Sequence, residues 1–205
     1  MRMLFSLAAA LFLALAPASA ANLSKKDLDD LARISTYLNG IKTLKGRFTQ
    51  VAGDGGYSQG EFYLSKPGKL RFEYEPPIPV LIVADGNTIA ITNYRLKTQD
   101  RYPILSTPLS LLIEDKVDLT KDLTVTGVTR SPGELSFTAR EDDGPAEGEI
   151  TVVFSDPGLE LRHWIVTDAQ GRQTTVSVSN LRKDESIAGK LFFIEEIQTF
   201  GREDR

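Results

Sequence analysis

The apolar positions of the chain follow a helical period before residue 43 and a strand period after it. Apolar residues first recur every three or four positions, which is typical of an amphipathic helix. These positions are Leu28, Leu31, Ile34, Leu38 and Ile41. Ser24, with Asp27 three residues later, resembles a capping box, and Asn39-Gly40 is typical of a helix end. We therefore predict a helix that lies with one side on an apolar surface.

From Thr43 onward, apolar and polar residues alternate in short segments separated by turn sequences such as Lys66-Pro67-Gly68 and Asp85-Gly86-Asn87. This pattern favours an antiparallel meander over alternating strands and helices. The predicted strands are 43–51, 57–65, 69–75, 80–84, 88–94, 97–102, 123–129, 134–140, 149–155, 159–167 and 174–181. The fold class is therefore mainly β with a few helices.

A second helix is predicted where the segment 107–115 interrupts the meander. Thr107 can cap it and Pro108 suits its first turn, while the leucines that follow make it apolar almost all round. Such a segment is either deeply buried or faces a cavity. Residues 141–148 have the composition of an exposed loop, and Leu191–Ile197 is a last apolar segment.

The N-terminus has the pattern of a secretory signal peptide. Arg2 precedes the uncharged apolar run 4–15, and Pro17 is followed by small residues up to Ala20. We expect cleavage between Ala20 and Ala21, so that residues 1–20 are the signal peptide and residues 21–205 form one domain in the periplasm. The alternative, a membrane anchor, requires about 18–20 apolar residues, and this run is shorter.

Composition narrows the possible functions. The chain has no cysteine, which excludes thiol chemistry and thiolate metal sites. Its 24 basic and 28 acidic residues give a net charge of −4, and no basic cluster stands out as a nucleic-acid surface. We expect a monomer that recognises its partner by apolar contact and binds no nucleic acid.

Catalytic groups are sparse in the sequence. His163, the single histidine, lies in a predicted strand, and no Gly-x-Ser-x-Gly nucleophile elbow accompanies it. A histidine in a strand is most often a packed or solvent-facing residue. The alternative is that His163 is the catalytic base of a hydrolase.

The acidic residues do not form a recognisable site either. The run 141–143 lacks the spaced oxygen ligands of a calcium loop, and the pairs Glu195-Glu196 and Glu73/Glu75 are as typical of exposed faces as of paired catalytic acids. Gly53–Gly56 lacks the Gly-Lys-Ser/Thr ending of a phosphate loop. The sequence predicts a binding protein without a metal or cofactor, and not an enzyme.

Several short motifs occur in a recognisable order. They are Phe48-Thr49-Gln50, Gly60-Glu61-Phe62-Tyr63-Leu64, Lys66-Pro67-Gly68-Lys69-Leu70-Arg71-Phe72, Ala84-Asp85-Gly86 and Thr107-Pro108-Leu109. The hairpin sequence 168–171, followed by 174–178, completes the set. In this order the motifs resemble those of the LolA family of outer-membrane lipoprotein carriers, over most of the mature chain.

The resemblance implies a fold and a function. The fold would be an incompletely closed antiparallel β-barrel, a half-barrel, covered by a helical lid over an apolar cavity. The function would be a periplasmic chaperone that carries triacylated lipoproteins from the inner to the outer membrane. A lipoprotein-releasing ABC transporter would be its donor, and an outer-membrane protein its acceptor. The alternative within the same fold is a regulatory or sensory envelope domain that binds a lipid or lipoprotein without transporting it.

Strand alternation and the apolar second helix supply candidate residues for acyl-chain binding. They are Phe48, Phe62, Leu64, Leu70, Phe72, Tyr74, Val80, Ile82, Ile89, Ile91, Leu111, Leu112, Trp164 and Val166. The alternative for each of them is that it fills an ordinary core, since apolar strand faces usually pack.

Two positions depart from the pattern that the resemblance implies. Lys66 stands before Pro67, where the family has an arginine that hydrogen-bonds the closed lid; lysine can bond a carbonyl but lacks the planar two-pronged donor. We consider Lys66 as the lid latch or as a solvated turn residue. Phe72 stands where tryptophan is frequent, which keeps the apolar surface but removes an N–H donor.

Overall fold

Strands dominate the computed structural model, which describes residues 23–104, 110–141 and 148–197. In these ranges the strands are β1 (Thr43–Ala52), β2 (Tyr57–Ser65), β3 (Lys69–Tyr74), β4 (Val80–Asp85), β5 (Thr88–Asn93), β6 (Thr98–Pro103), β7 (Thr124–Ser131), β8 (Glu134–Glu141), β9 (Gly148–Ser155), β10 (Leu161–Asp168) and β11 (Gln173–Lys183). The helices are α1 (Lys25–Asn39), α2 (Ser110–Ile113) and a 3-10 helix at Gly189–Phe192.

The described strands form one antiparallel sheet in the order β6-β5-β4-β3-β2-β1-β11-β10-β9-β8-β7. Each half of the chain is a meander, and the two meanders join where β1 pairs with β11, with Phe48 opposite Val178. β6 and β7 are the two ends of the order, so the sheet does not close into a barrel. This confirms the predicted fold class of an open antiparallel sheet with few helices.

The face of the sheet that carries Phe48, Phe62, Phe72 and Trp164 is called the inner face below, and the opposite face the outer face. Antiparallel partners share a face, and Phe62 stands opposite Phe72 while Trp164 stands opposite Val152 and Val176. All of these side chains belong to one apolar core with the buried residues of α1 and α2. The two helices therefore cover the inner face.

The helix α1 begins and ends where the sequence predicts. The Ser24 hydroxyl accepts the backbone N–H of Asp27, the Asp27 carboxylate accepts the backbone N–H of Ser24, and Gly40 follows the last residue. Leu31, Ile34 and Leu38 are almost completely buried. The stripe that predicted an amphipathic helix is thus the side that contacts the sheet.

The helix α2 and the segment after it are fixed by backbone and side-chain hydrogen bonds. The backbone N–H of Gly68, in the turn between β2 and β3, donates to the Ile113 carbonyl over 2.7 Å. The Asn39 side chain both donates to and accepts from the backbone of Val117, each bond being 2.9 Å long. The predicted range 107–115 is longer than α2; its residues 107–109 lie outside the described residues, as do Ala20, Ala21 and residues 142–147 of the predicted loop.

The chain after β11 crosses the outer face of the first meander. Phe192 is buried, a guanidinium N–H of Arg71 donates to the Leu191 carbonyl over 3.2 Å, and the Gln99 amide donates to the Glu195 carbonyl over 2.8 Å. The apolar segment 191–197 predicted from the sequence thus covers the outer face, while Phe193 stays exposed.

Three strands begin later than predicted: β7 by one residue, at Thr124, and β6 and β10 because of their backbone conformation. Lys97 and Leu159 have φ values of 54° and 45°, and this left-handed backbone belongs to turns, so β6 begins at Thr98 and β10 at Leu161.

Close packing restricts one position inside β2. A Cβ atom at Gly60 would lie 2.8 Å from Cε1 of Phe48 and closer still to the Glu73 carbonyl oxygen, so the Phe48 ring packs directly over Gly60.

Candidate functional site

A small apolar cavity lies between the inner face and the two helices. Its volume is about 20 Å³, which is room for about one water molecule. The residues around it come from α1, α2 and both halves of the sheet. They are Leu38, Ile41, Leu44, Phe62, Leu64, Leu70, Phe72, Leu112, Leu161 and Trp164. The helices and the sheet thus meet around an almost closed apolar space.

The structure distributes the predicted cavity residues over three environments. Six of them line the cavity: Phe62, Leu64, Leu70, Phe72, Leu112 and Trp164. A second set is buried in the surrounding core or packs against it: Phe48, Ile89, Leu111, Tyr74, Ile82 and Val166. Val80 is half-buried, and Ile91 is 37% exposed, opposite Asp100 of the terminal strand β6. Alternation identifies which side chains share a face, but not how far the helices extend over it.

Four residues of the cavity wall were absent from the predicted set. They are Leu38, Ile41, Leu44 and Leu161. The signal for two of them was present, because Leu38 and Ile41 belong to the apolar stripe that predicted α1. Leu44 shares its side of β1 with Phe48, so the same alternation would have included it.

Phe72 lies at the centre of a cluster of aromatic rings. Its ring meets Phe48 edge-on at a centroid distance of 4.9 Å, stacks at 5.9 Å on Phe62, and meets Trp164 edge-on at 6.3 Å. Such contacts stabilise ring pairs by about 0.5–1.5 kcal/mol beyond their burial. Trp164 is 2% exposed, and its indole N–H has no hydrogen-bond partner among the described residues.

Lys66 connects the turn between β2 and β3 to the last turn of α1. Its Nζ donates to the Leu38 carbonyl over 3.0 Å. Burial lowers the pKa of the Lys66 amine, although the carboxylates of Asp115 and Glu114 oppose this shift. A cation near the carboxyl end of a helix also interacts favourably with the helix dipole. Two hydrogen bonds from one turn, by Lys66 and by the Gly68 N–H, thus hold the ends of α1 and α2.

The first half of α1 is tied to the second meander by charged side chains. Asp30, only 7% exposed, accepts hydrogen bonds from Arg33 over 2.7 Å and from Arg130 over 2.6 Å. Burial raises the pKa of the Asp30 carboxyl, but the two guanidinium groups outweigh it and the pKa lies below its ordinary value. Arg130 also pairs with Asp27, and Arg33 with Asp156, both over 2.8 Å. This network holds α1 on the β7–β10 side of the sheet.

Tyr37 adds a contact from α1 to the same side. Its hydroxyl accepts the backbone N–H of Leu161 over 3.2 Å, and its ring meets Phe154 edge-on at 5.7 Å. The Lys183 ammonium lies 5.0 Å from the ring centroid, within the range of a cation–π contact. α1 therefore has more attachments to the second meander than to the first.

The residues considered for catalysis lie apart from the cavity. His163 is on the opposite side of β10 from Trp164, between Val153 and Ser177, and within the described part of the chain its imidazole makes no hydrogen bond to either. Glu75 bonds Arg47 and Gln59, and Arg47 holds the pKa of this carboxyl below its ordinary value, opposite to what a general acid requires. Arg71 pairs with Glu73.

Over residues 23–104, 110–141 and 148–197, no group of three or more His, Cys, Asp or Glu side chains is placed to hold a metal ion. Within the same ranges, no helix has the length and apolar character needed to cross a membrane.

Comparison with known proteins places this architecture in a family. Residues 39–195 match the family model described as outer membrane lipoprotein carrier protein LolA. The chain is 32% identical over 174 residues to an outer-membrane lipoprotein carrier protein of Cupriavidus pinatubonensis, covering 78% of this chain and 80% of that protein. It is 28% identical over 201 residues to a protein of the same name from Pseudomonas syringae, covering 91% and 90%.

One of the matching solved structures shares the fold at a TM-score of 0.50, at low sequence identity. A conserved protein from Thermus thermophilus matches with a TM-score of 0.50 and 11% identity, over 82% of this chain and 94% of that one. A LolA superfamily protein from Nitrosomonas europaea matches with a TM-score of 0.45 and 11% identity, over 80% and 97%. From the family model and the relative at 32% identity, this chain belongs to the LolA family of outer-membrane lipoprotein carrier proteins.

Proposed function

We propose that this protein is a periplasmic carrier that buries the acyl chains of lipoproteins between its sheet and its helices, and moves them from the inner to the outer membrane. It acts by binding and release and catalyses no reaction. The observation that carries the proposal is the cavity itself, whose ten lining residues are all apolar and come from both meanders and both helices.

The driving force for such binding is burial of hydrocarbon. Each methylene removed from water contributes about 0.8 kcal/mol, so a long acyl chain has a strong preference for an apolar enclosure over the aqueous space between two membranes. Apolar contacts have little directionality, and one cavity can therefore accept acyl chains attached to many different proteins. Hand-over to an acceptor then requires only a modest difference in affinity.

The cavity must enlarge before an acyl chain can enter. A volume of about 20 Å³ holds roughly one water molecule, far less than a chain of many methylenes. We infer that the described conformation is the closed form, and that the carrier opens by separation of the helices from the inner face.

The attachments of the helices suggest which contacts break on opening. α1 is held on the second meander by Asp30, Arg33 and Arg130, whereas its carboxyl end is held on the first meander by the Lys66 hydrogen bond. We propose that Lys66 is the lid latch. Loss of its bond and of the bond between Gly68 and Ile113 would free the helices from the β2–β3 turn while the charged network acts as the hinge.

A release assay tests the carrier function. The mature protein, added to spheroplasts or to inner-membrane vesicles that contain lipoproteins and their release machinery, is expected to bring lipoproteins into the soluble fraction. Addition of outer membranes should then move the lipoproteins from the soluble fraction into the outer-membrane fraction. A protein of similar size and charge serves as the negative control.

Two matched variants connect the assay to the cavity. Leu112→Asn places a polar group in the wall, and Leu96→Asn makes the same change at a side chain that is 68% exposed. We expect Leu112→Asn to lower lipoprotein release at least tenfold while its circular dichroism stays that of the wild type, and Leu96→Asn to release normally. Release that is equal for both variants would count against the cavity as the binding site.

The second step of the assay separates carriage from regulation. Lipoproteins that are bound but never passed to outer membranes would favour a regulatory lipoprotein-binding domain over a carrier. Absence of any release above the control protein would overturn the proposal.

A further inference from the structure

The indole N–H of Trp164 is a hydrogen-bond donor without an acceptor in an apolar wall. Trp164 lines the cavity, and its Nε1 is fully buried with no partner among the described residues. A buried donor that makes no hydrogen bond costs about 1–3 kcal/mol relative to its solvated state. Native proteins rarely keep such a group, and its presence in the wall of a binding cavity indicates a partner that arrives with the ligand.

The described residues around Trp164 offer its N–H no other hydrogen-bond acceptor. A water molecule held in a cavity needs two to four polar partners, and the other nine lining residues are Leu, Ile and Phe. Gln50 stands two strands away in the same row of paired residues, but its Oε1 already accepts the Tyr74 hydroxyl over 2.7 Å. The Trp164 N–H therefore remains an unpaired donor on the inner face, as far as the described residues show.

We propose that the Trp164 N–H donates a hydrogen bond to an ester carbonyl oxygen at the head of a bound acyl chain, and that it is a specificity-determining residue. The inference rests on the proposed acyl-chain binding and adds a chemical class to it: O-acyl esters are preferred over hydrocarbon chains that carry no carbonyl group.

The physical reason is desolvation. An ester that follows its chain into an apolar cavity loses the water that bonds its carbonyl oxygen, and a cavity of purely apolar side chains gives nothing in return. The Trp164 N–H supplies one donor, and the same bond satisfies the indole. The position is also a rigid one, because the ring lies on β10 between Val152 and Val176 and meets Phe72 edge-on.

A spectroscopic experiment observes this bond in the unmodified protein. Trp164 is the single tryptophan of the chain, so its indole gives one 1H–15N cross-peak and its fluorescence has one source. The two probes are a cysteine peptide that carries S-2,3-bis(palmitoyloxy)propyl, a diester, and its diether analogue with chains of equal length. Both probes have a free amino terminus, so that neither contains an N-acyl amide.

The proposal predicts a downfield shift of the indole proton with the diester that is absent with the diether. It also predicts that the wild type binds the diester about threefold to tenfold more tightly than the diether, which is the range of one net hydrogen bond. Trp164→Phe keeps an aromatic ring but has no N–H donor. It should bind the two probes equally, with the loss confined to the diester.

Each remaining outcome is informative. Equal binding and equal indole shifts for the two probes in the wild type would overturn the role of Trp164 and leave acyl-chain binding intact. Equal weakening of both probes by Trp164→Phe would show that the residue acts only by packing, and would overturn the proposal too. No binding of either probe to the wild type would instead contradict the proposed function.

Discussion

The amine of Lys66 and the main-chain carbonyl of Leu38 are joined by a 3.0 Å hydrogen bond that spans from the β2–β3 turn to the last turn of α1. The family resemblance places an arginine at this position, and the lysine reaches a helix carbonyl with one donor. A single bond from a half-buried amine is a contact that binding energy can break. We expect it to control how readily the cavity opens.

Substitution of Lys66 tests that control. Lys66→Met keeps most of the apolar stem and removes the donor, so we expect a loss of about 1 kcal/mol in the free energy of unfolding. Amides in the last turn of α1 should exchange hydrogen faster, as measured by mass spectrometry. Lys66→Arg should protect this turn from exchange at least as well as the wild type does. The control is Lys69→Met, three residues later at an exposed position, which should have little effect. Unchanged exchange in Lys66→Met would remove the latch role.

The charged network at the start of α1 should contribute more to stability. Asp30→Asn removes the charge that bonds Arg33 and Arg130 at a buried position, and we expect a loss of about 2 kcal/mol in urea denaturation. The matched control is Asp29→Asn, whose carboxylate pairs with Lys25 at the surface and should contribute less than about 0.5 kcal/mol. Equal losses for the two variants would contradict the proposed hinge.

Acid should weaken the same end of α1. The Ser24 hydroxyl, the Ser24 backbone N–H and Arg130 lower the pKa of Asp27 to about 2, from an ordinary value of 3.8. Because the unfolded chain takes up this proton first, the stabilising contribution is complete above pH 3.8 and disappears as the pH falls toward 2. Thermal unfolding measured from about pH 5 to about pH 2 should therefore decline less steeply for Asp27→Asn than for the wild type. Parallel curves would contradict this assignment.

A methyl group at Gly60 should damage the aromatic cluster. In Gly60→Ala the new Cβ would overlap the Glu73 carbonyl oxygen and press on the Phe48 ring, so we expect a loss of about 2 kcal/mol or more in stability. Gly127→Ala is the control, because a Cβ there meets no atom within 4 Å. Near-ultraviolet circular dichroism should report altered ring packing in the first variant only. A neutral effect of Gly60→Ala would mean that β2 and β3 can separate at little cost.

Local signals predicted much of the fold. The capping box at Ser24 and the stop at Gly40 gave the bounds of α1 because both act through hydrogen bonds within a few residues. Alternation placed Phe62, Phe72 and Trp164 on inward-facing positions, since side chains of a strand point to opposite faces in turn. The late starts of β6 and β10 were missed because the left-handed backbone of Lys97 and Leu159 has no marker in those residue types.

The candidate site was less predictable than the fold. The wall of the cavity depends on which helix crosses which strands, and that information lies in the packing of distant segments, which brings Leu38, Leu70 and Leu161 to one cavity. The hydrogen-bond partner of Lys66 could not be predicted from the sequence either, because Leu38 is 28 residues away and contributes only its backbone carbonyl. The unpartnered state of the Trp164 N–H becomes visible only when every neighbour has been placed.

The junction of β1 with β11 has a consequence for how the molecule folds. Leu44 pairs with Lys183, so the centre of the sheet cannot form until nearly the whole chain is available. Each meander can assemble from neighbouring hairpins, but their union needs a contact between remote segments, whose loop-closure cost slows folding. Until β1 and β11 pair, the aromatic side chains of the first meander on the inner face lack the second meander that contributes Trp164 to their cluster.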